Sequence, residues 1–465
     1  MTILRDTSIY KYFAEPKPAC SAVVRQHLLE PIAMISVSPP VAPENSVFAA
    51  FVGLDWADQK HDLVLYDQRG GRPEHRELVQ TPEAIDEWAC GLRQRFGGRP
   101  IAVCFEQSRG GIAYALLKYD FLVLFPLPPA RLASYRESFS NSGAKDDPTD
   151  AALLVDYLLR HRDQLRVWQP DTPATRELQL LAEARCDAVD QRTRLSNQLT
   201  AVLKRYFPQA VVLVGHDVDT PLACDFLSKW PTLAAVQAAA PATLRKFYYA
   251  HHSRNEERIV ERLELVKSAI PLTNDRALIQ AGMLQVQCLI GQLRALAKAI
   301  ERYEARLSEL MDQHPDATLF RALPGAGPAL APRLLVAFGS DRERFQSAAE
   351  LQTFSGVAPV TKRSGKQCHI HRRWACPKFL LQTFHEFAHC SCKRSVWAKA
   401  FYLQQRAGGK GHHAALRSLA FKWIRILFRC WKTKVPYSEE RYLKSLRTRN
   451  APLLAFLAVA DSTSA

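Results

Sequence analysis

The stretch Gly143-Ala-Lys-Asp-Asp-Pro-Thr-Asp-Ala151 crowds three carboxylates into five residues, between a polar loop and an apolar run. The run from Pro148 to Arg160 predicts a helix with proline in its first turn, so Asp147 and Asp150, three apart, share one face of the helix start. Like charges held that way repel unless a cation bridges them. Mg²⁺ suits the position, since it prefers hard oxygen ligands and often takes only one or two protein carboxylates besides water and substrate phosphates. Acids also favour a helix N-terminus through capping and the macrodipole, with no ion at all. The stretch alone leaves both explanations standing, and the residues around it have to separate them.

Upstream, strands and helices alternate. Val47 to Leu54 is an apolar run of strand length ending in Asp55, and His61 to Tyr66 is a second strand. Thr81 to Phe96 has the periodicity of an amphipathic helix, and Pro100 to Phe105 that of a buried strand ending in Glu106. Helix over Gly110 to Lys118, strand over Phe121 to Phe125 and helix over Ala130 to Phe139 complete a mixed, three-layer α/β domain. Functional groups in open α/β sheets gather beyond the strand ends. Asp55 and Glu106 both close strands, so with Asp147 and Asp150 they share one expected locus. Residues 1–46 carry six prolines with weak periodicity and are expected to form a poorly ordered extension.

Downstream the pattern turns helical. Thr175 to Tyr206 and Ala281 to Met311 are long and amphipathic, bracketing a middle insert. They predict an antiparallel, coiled-coil-like hairpin, serving either dimerisation or packing within one chain. Arg321-Ala-Leu-Pro-Gly-Ala-Gly-Pro328 followed by Leu330 to Phe338 has the form of helix, Gly-rich hairpin and helix, which can offer backbone N–H groups to a phosphate. Beyond it, Ser364 stands in a glycine-containing turn between Arg363 and Lys366, with His369, His371, Arg372 and Arg373 close behind. Serine is a default turn residue, yet these basic neighbours could hold a scissile phosphate beside its hydroxyl.

The bulk numbers agree with a multidomain protein directed at a polyanion, either nucleic acid or an acidic membrane surface. At 465 residues two or three domains are expected. The net charge of +16 points to a polyanionic partner. The excess concentrates in Val360 to Lys434, where 17 Lys or Arg face a single acid, Glu386. Eleven cysteines without framework spacing predict reduced thiols in a cytoplasm, and no apolar run is long and charge-free enough to cross a membrane.

One motif pulls elsewhere. His385-Glu-Phe-Ala-His389 matches the H-E-x-x-H zinc signature. A catalytic zinc needs a third protein ligand, and no Asp or Glu occurs between Phe387 and Ser438. The metalloprotease is therefore the disfavoured reading, with Cys368, Cys376, His385 and Cys390 left open as ligands of a structural zinc.

Three acidic motifs, Phe51-Val-Gly-Leu-Asp55, Val103-Cys-Phe-Glu106 and Lys145-Asp-Asp-Pro-Thr-Asp-Ala151, precede Leu323-Pro-Gly-Ala-Gly-Pro328, Phe354-Ser-Gly-Val-Ala-Pro359 and the Ser364-Gly365 pair. Through these, from about Phe48 to Lys434, the chain resembles the DEDD-type transposases of bacterial insertion sequences, bridge-RNA-guided recombinases. The resemblance implies a RuvC-like, RNase H-like domain over 47–170, a helical coiled-coil region over 171–315, a mainly helical transposase domain with a helix-hairpin-helix-like element over 316–440, and a tail over 441–465. Asp55, Glu106, Asp147 and Asp150 would then bind Mg²⁺, and Ser364 would be the nucleophile. Lys145, Arg363, Lys366, Arg372 and Arg373 would contact nucleic acid. Donor and target DNA, a structured guide RNA and further copies of the chain, as a dimer or tetramer, would be its partners. In this chain Asp146 replaces the family's threonine, and register with Lys145 and Ala151 favours Asp147 and Asp150 over it. Arg363 replaces a second serine, which leaves Ser355 as a rival to Ser364. Two other functions stay open: a RuvC-like, metal-only nuclease with Ser364 idle, and a non-catalytic nucleic-acid scaffold.

Overall fold

Ala50 to Leu54 are buried without alternation, as a central strand covered on both faces requires. They form β1 (Ala50–Asp55) in a computed structural model that describes residues 47–106, 111–139, 147–365 and 367–457. The expected N-terminal extension lies outside the described residues. β2 (Lys60–Asp67) and β3 (Glu74–Val79) follow, with α1 (Pro82–Phe96), β4 (Ile101–Glu106), α2 (Gly111–Leu116), β5 (Leu122–Leu127), α3 (Pro129–Glu137) and α4 (Asp147–His161). The sheet order is β3-β2-β1-β4-β5. β1 pairs antiparallel with β2 and parallel with β4, so the sheet is mixed.

Each face of the sheet is covered. Leu54, Leu63, Val103 and Phe105 pack with Ile85 and Trp88 of α1 and Ile112 of α2. Phe51, Val64, Ala102 and Cys104 pack with Leu132 of α3 and Leu154 and Leu158 of α4. The three-layer α/β arrangement expected for the first half is therefore present. β3 was not foreseen, because five of its six residues are exposed and it carries no apolar run.

The closest approach within this unit is at Gly53. A Cβ there would stand 2.1 Å from the Ala151 carbonyl oxygen and 2.8 Å from the Val155 nitrogen. Glycine lets the backbone of α4 lie directly on β1, and the carboxylate-bearing helix start is set against the central strand as a result.

The chain divides into two compact units after Trp168. In the second, α5 (Pro173–Tyr206) and α11 (Arg276–Gln313) lie along one another. Arg306 bonds Glu177, Arg185 bonds Glu304 and Arg205 bonds Gln285, so numbers rise on one helix as they fall on the other and the pair is antiparallel. Between them fold α6 (Gln209–Val214), α7 (Pro221–Lys229), α8 (Leu233–Gln237), α9 (Pro241–Ala250) and α10 (Glu256–Ser268), around Phe226, Leu227 and Val236.

The rest comprises α12 (Ala317–Arg321), α13 (Gly327–Phe338), α14 (Ala348–Phe354), β6 (Val360–Ser364), β7 (Gln367–His371), α15 (Lys378–Ser391), α16 (Val396–Ala407), α17 (His412–Thr433) and α18 (Glu439–Thr448). Its core is aromatic: Trp397 and Trp423 are fully buried, their indole N–H groups donating to the Tyr437 hydroxyl at 2.6 Å and the Ser391 hydroxyl at 2.9 Å. The tail expected from 441 starts inside α18, and Leu446 and Leu453 are buried in this same core.

Gly53→Ala tests the seating of α4. Overpacking against backbone that has nowhere to move should cost the N-terminal unit at least about 1–3 kcal/mol, read as a lowered urea midpoint for that unit.

Candidate catalytic site

β1 and β4 run parallel with Leu54 opposite Phe105. The next residues, Asp55 and Glu106, therefore stand at matching positions on strands about 5 Å apart. Alternation turns both away from the α1 layer, where Leu54 and Phe105 pack, and toward the layer of α3 and α4. Asp55 is buried and Glu106 half-buried. Trp56 fixes the end of β4 by donating its indole N–H to the Glu106 carbonyl at 3.1 Å.

A third acid joins them that the sequence reading did not select. Asp62 of β2 stands directly opposite Asp55 in the antiparallel register. Like charges so paired are destabilising unless compensated. The signal was available as Lys60-His-Asp62, but nothing local distinguishes that aspartate from an ordinary surface acid.

Asp150 is fully buried, and both of its oxygens are held by Arg136 of α3, Nε on Oδ1 at 2.7 Å and Nη2 on Oδ2 at 2.6 Å. Its chain neighbour Ala151 is the residue pressed onto Gly53, two positions before Asp55. α4 begins at Asp147, whose side chain lies outside the described residues, as do Lys145, Asp146 and Lys366.

These residues were tested for fit to a hard divalent cation. Asp55 and Glu106 supply hard oxygen donors from adjacent strand ends, the donor chemistry such an ion prefers. Asp150 faces a guanidinium in this conformation, although each carboxylate oxygen retains a further lone pair. Among the described residues no three Asp, Glu, His or Cys side chains are grouped to hold one ion. The donors of Asp55 and Glu106 thus fit such an ion in kind.

The two candidate serines differ sharply. Ser355 is fully buried and donates its hydroxyl to the Gln352 carbonyl at 3.3 Å. Ser364 is exposed at the end of β6, paired across the ribbon with Gln367. Of the basic residues expected nearby, Arg363 is exposed, whereas Arg373 is half-buried and donates Nε to the Ala358 carbonyl at 3.3 Å.

Two expectations take a different form. At the Gly-rich hairpin a Cβ on Gly325 would meet the Cys390 carbonyl oxygen at 2.7 Å, so this glycine also permits close packing on α15. The H-E-x-x-H residues lie on α15 as expected, but Glu386 is engaged by buried Arg333 and by Gln382, whose amide donates to it at 2.8 Å. The imidazole of His385 lies against that of His413, with centroids 5.4 Å apart. No zinc ligand set forms among the described residues.

Comparison with known proteins gives concordant results over both units. Residues 52–208 match the family model of the DEDD transposase of IS110 type. Residues 317–403 match the model described as Transposase IS116/IS110/IS902 family. The IS117 mini-circle protein of Streptomyces coelicolor, which bears the name of a transposase, is 28% identical over 84% of this chain and 96% of its own length. An IS110 insertion-element protein of the same organism is 27% identical over 81% and 93%. An IS900 insertion-element protein of Mycobacterium paratuberculosis is 24% identical over 81% and 94%.

Arg136→Met should destabilise the N-terminal unit by about 3–5 kcal/mol, because it leaves a fully buried carboxylate uncompensated; a denaturant titration reads the loss. His385 gives a pH signature. Burial, then His413, Arg417, His412 and His389, push its pKa from 6.5 down to about 4. The unfolded chain binds that proton first, so the contribution is complete above pH 6.5 and is lost as pH falls toward 4. His385→Leu should remove a part of the acid slope on the order of 2–4 kcal/mol across that window, seen as the difference between variant and wild-type stability curves.

Proposed function

The chain belongs to the IS110 family of insertion-element transposases and is a DNA-acting enzyme, and we propose that it cuts and rejoins DNA through a covalent Ser364 intermediate assisted by the carboxylate site. The observation that carries this reading is the contrast between the serines. Ser364 is exposed on a strand with exposed Lys362 and Arg363, while Ser355 is sealed in the core.

Ser364 Oγ attacks the scissile phosphorus and a serine phosphodiester forms. The strand leaves with a free hydroxyl, which takes up a proton as the serine gives one up. Attack by another strand's hydroxyl reverses the step, so bond energy is conserved and no nucleotide cofactor is needed. Lys362 and Arg363 neutralise charge on the phosphate. Asp55, Glu106, Asp147 and Asp150 would hold Mg²⁺, which supplies stabilisation of charge on the scissile phosphate and leaving oxygen.

Each covalent link occupies one serine. Exchange between duplexes breaks at least two strands, so a homo-oligomer, dimer or tetramer, is the working form. Choice of target falls to a structured RNA, in keeping with the net charge of +16 and with backbone and shape recognition of nucleic acid by basic surfaces.

Purified protein incubated with Mg²⁺, guide RNA and donor and target DNA should yield a protein–DNA adduct on a denaturing gel. Ser364→Ala should abolish both adduct and recombination, and a variant that still cleaves without adduct would establish a metal-only nuclease. Asp55→Ala and Glu106→Ala should each reduce adduct formation by about a hundredfold or more; unaltered recombination in both would remove the carboxylates from the reaction.

A further inference from the structure

Among the described residues, β6 and β7 pair only with each other. Every residue from Thr361 to Ser364 and from Gln367 to His371 is exposed, so neither face of this ribbon rests on a core. Lone two-stranded ribbons are marginal in water. This one is fastened at its foot, where Lys378 Nζ donates to the Trp374 carbonyl at 3.0 Å and Arg373 to that of Ala358.

Its surface has one electrostatic character. From Val360 to His385 there are six Lys or Arg and no Asp or Glu. Register puts Lys362, Ser364, Gln367, His369 and His371 on one face, and Thr361, Arg363, Cys368 and Ile370 on the other. Two apolar side chains stand out of this charge, Ile370 at 70% exposure and Trp374 at 65%. The Arg372 guanidinium lies over the Trp374 ring, 4.6 Å from its centroid. Arg372 Nε is nevertheless buried with no hydrogen-bond partner. A guanidinium with an unmet donor calls for an anion.

We propose that this ribbon is an arm that enters the major groove of B-form duplex DNA, with Lys362 and Arg363 on the flanking phosphates, Ile370 and Trp374 against apolar sugar and base edges, and a phosphate met by Arg372 at its foot. Five residues per strand give a length of about 17 Å. A pair of strands fits a groove about 12 Å wide. The deep, narrow major groove of A-form RNA does not admit it. The inference rests on the proposed action on DNA and shares Lys362 and Arg363 with the serine step, while the contacts of Ile370 and Trp374 belong to the groove alone.

Anisotropy of a fluorescent, mixed-sequence DNA duplex with the full chain, without Mg²⁺ and across a salt series, tests it. Lys362→Gln with Arg363→Gln should weaken binding about tenfold and lower the log–log salt slope by about 2. Ile370→Ser with Trp374→Ala should weaken it severalfold and leave the slope unchanged, because no phosphate contact is lost. Melting temperatures should match wild type, since these side chains are exposed. Unchanged affinity and slope in both double variants would overturn the proposal, as would an RNA duplex of the same sequence bound as tightly and weakened equally. No cleavage step enters this measurement, so its failure is distinct from failure of the adduct assay.

Discussion

The contact of the Ala151 carbonyl with the bare backbone at Gly53 is the constraint on which the N-terminal unit depends. It lets a helix lie on the central strand without a side chain between them. Two consequences follow from that one contact. Asp150 is carried into the protein beside Ala151, and Asp55, two residues past Gly53, is roofed by the same helix layer. The strand supplies the rest, since parallel register with β4 brings Glu106 level with Asp55 without any further device. A carboxylate locus thus arises from sheet geometry and one missing Cβ.

The second unit uses its charges in two ways. Some are structural: Arg333 ties α13 to α15 through Thr383 and Glu386, and Arg342 bonds the largely buried Asp316. Others are left facing outward, above all along β6 and β7. The H-E-x-x-H sequence belongs to the first group. Its glutamate is consumed by an arginine from another helix, so a motif legible in the chain has no corresponding chemistry in the fold. Tertiary partners decide what a short motif means, and they are invisible to spacing.

Periodicity made much of the framework legible. β1, β2, β4 and β5 are short apolar runs ending at acids, polar residues or Pro, and α1, α5 and α11 have long amphipathic repeats. What escaped was the exposed structure. β3 and the β6–β7 ribbon bury almost nothing, so no hydrophobic alternation marks them, and Ser364 was placed in a turn without its strands. The acids at the ends of β1 and β4 could be picked from the sequence, whereas Asp62 could not, because it is marked only by standing across from Asp55. Burial alone separates Ser355 from Ser364. Arg136 was also unreadable as a partner for Asp150, because the pair spans a loop and two helices.

That last pair bears on how a fully buried acid is kept folded. A carboxylate with no exposure cannot be left alone in a low-dielectric interior, where an uncompensated charge is costly. If an ion were its only compensation, folding of α4 would be coupled to ion binding, as in small metal-dependent domains. Arg136 removes that coupling by meeting both oxygens of Asp150 with a planar fork. The helix start is therefore held by an internal cation, whereas Glu106 is only half-buried. The charge of Asp150 is thus compensated within the protein itself, by a guanidinium carried on the neighbouring helix.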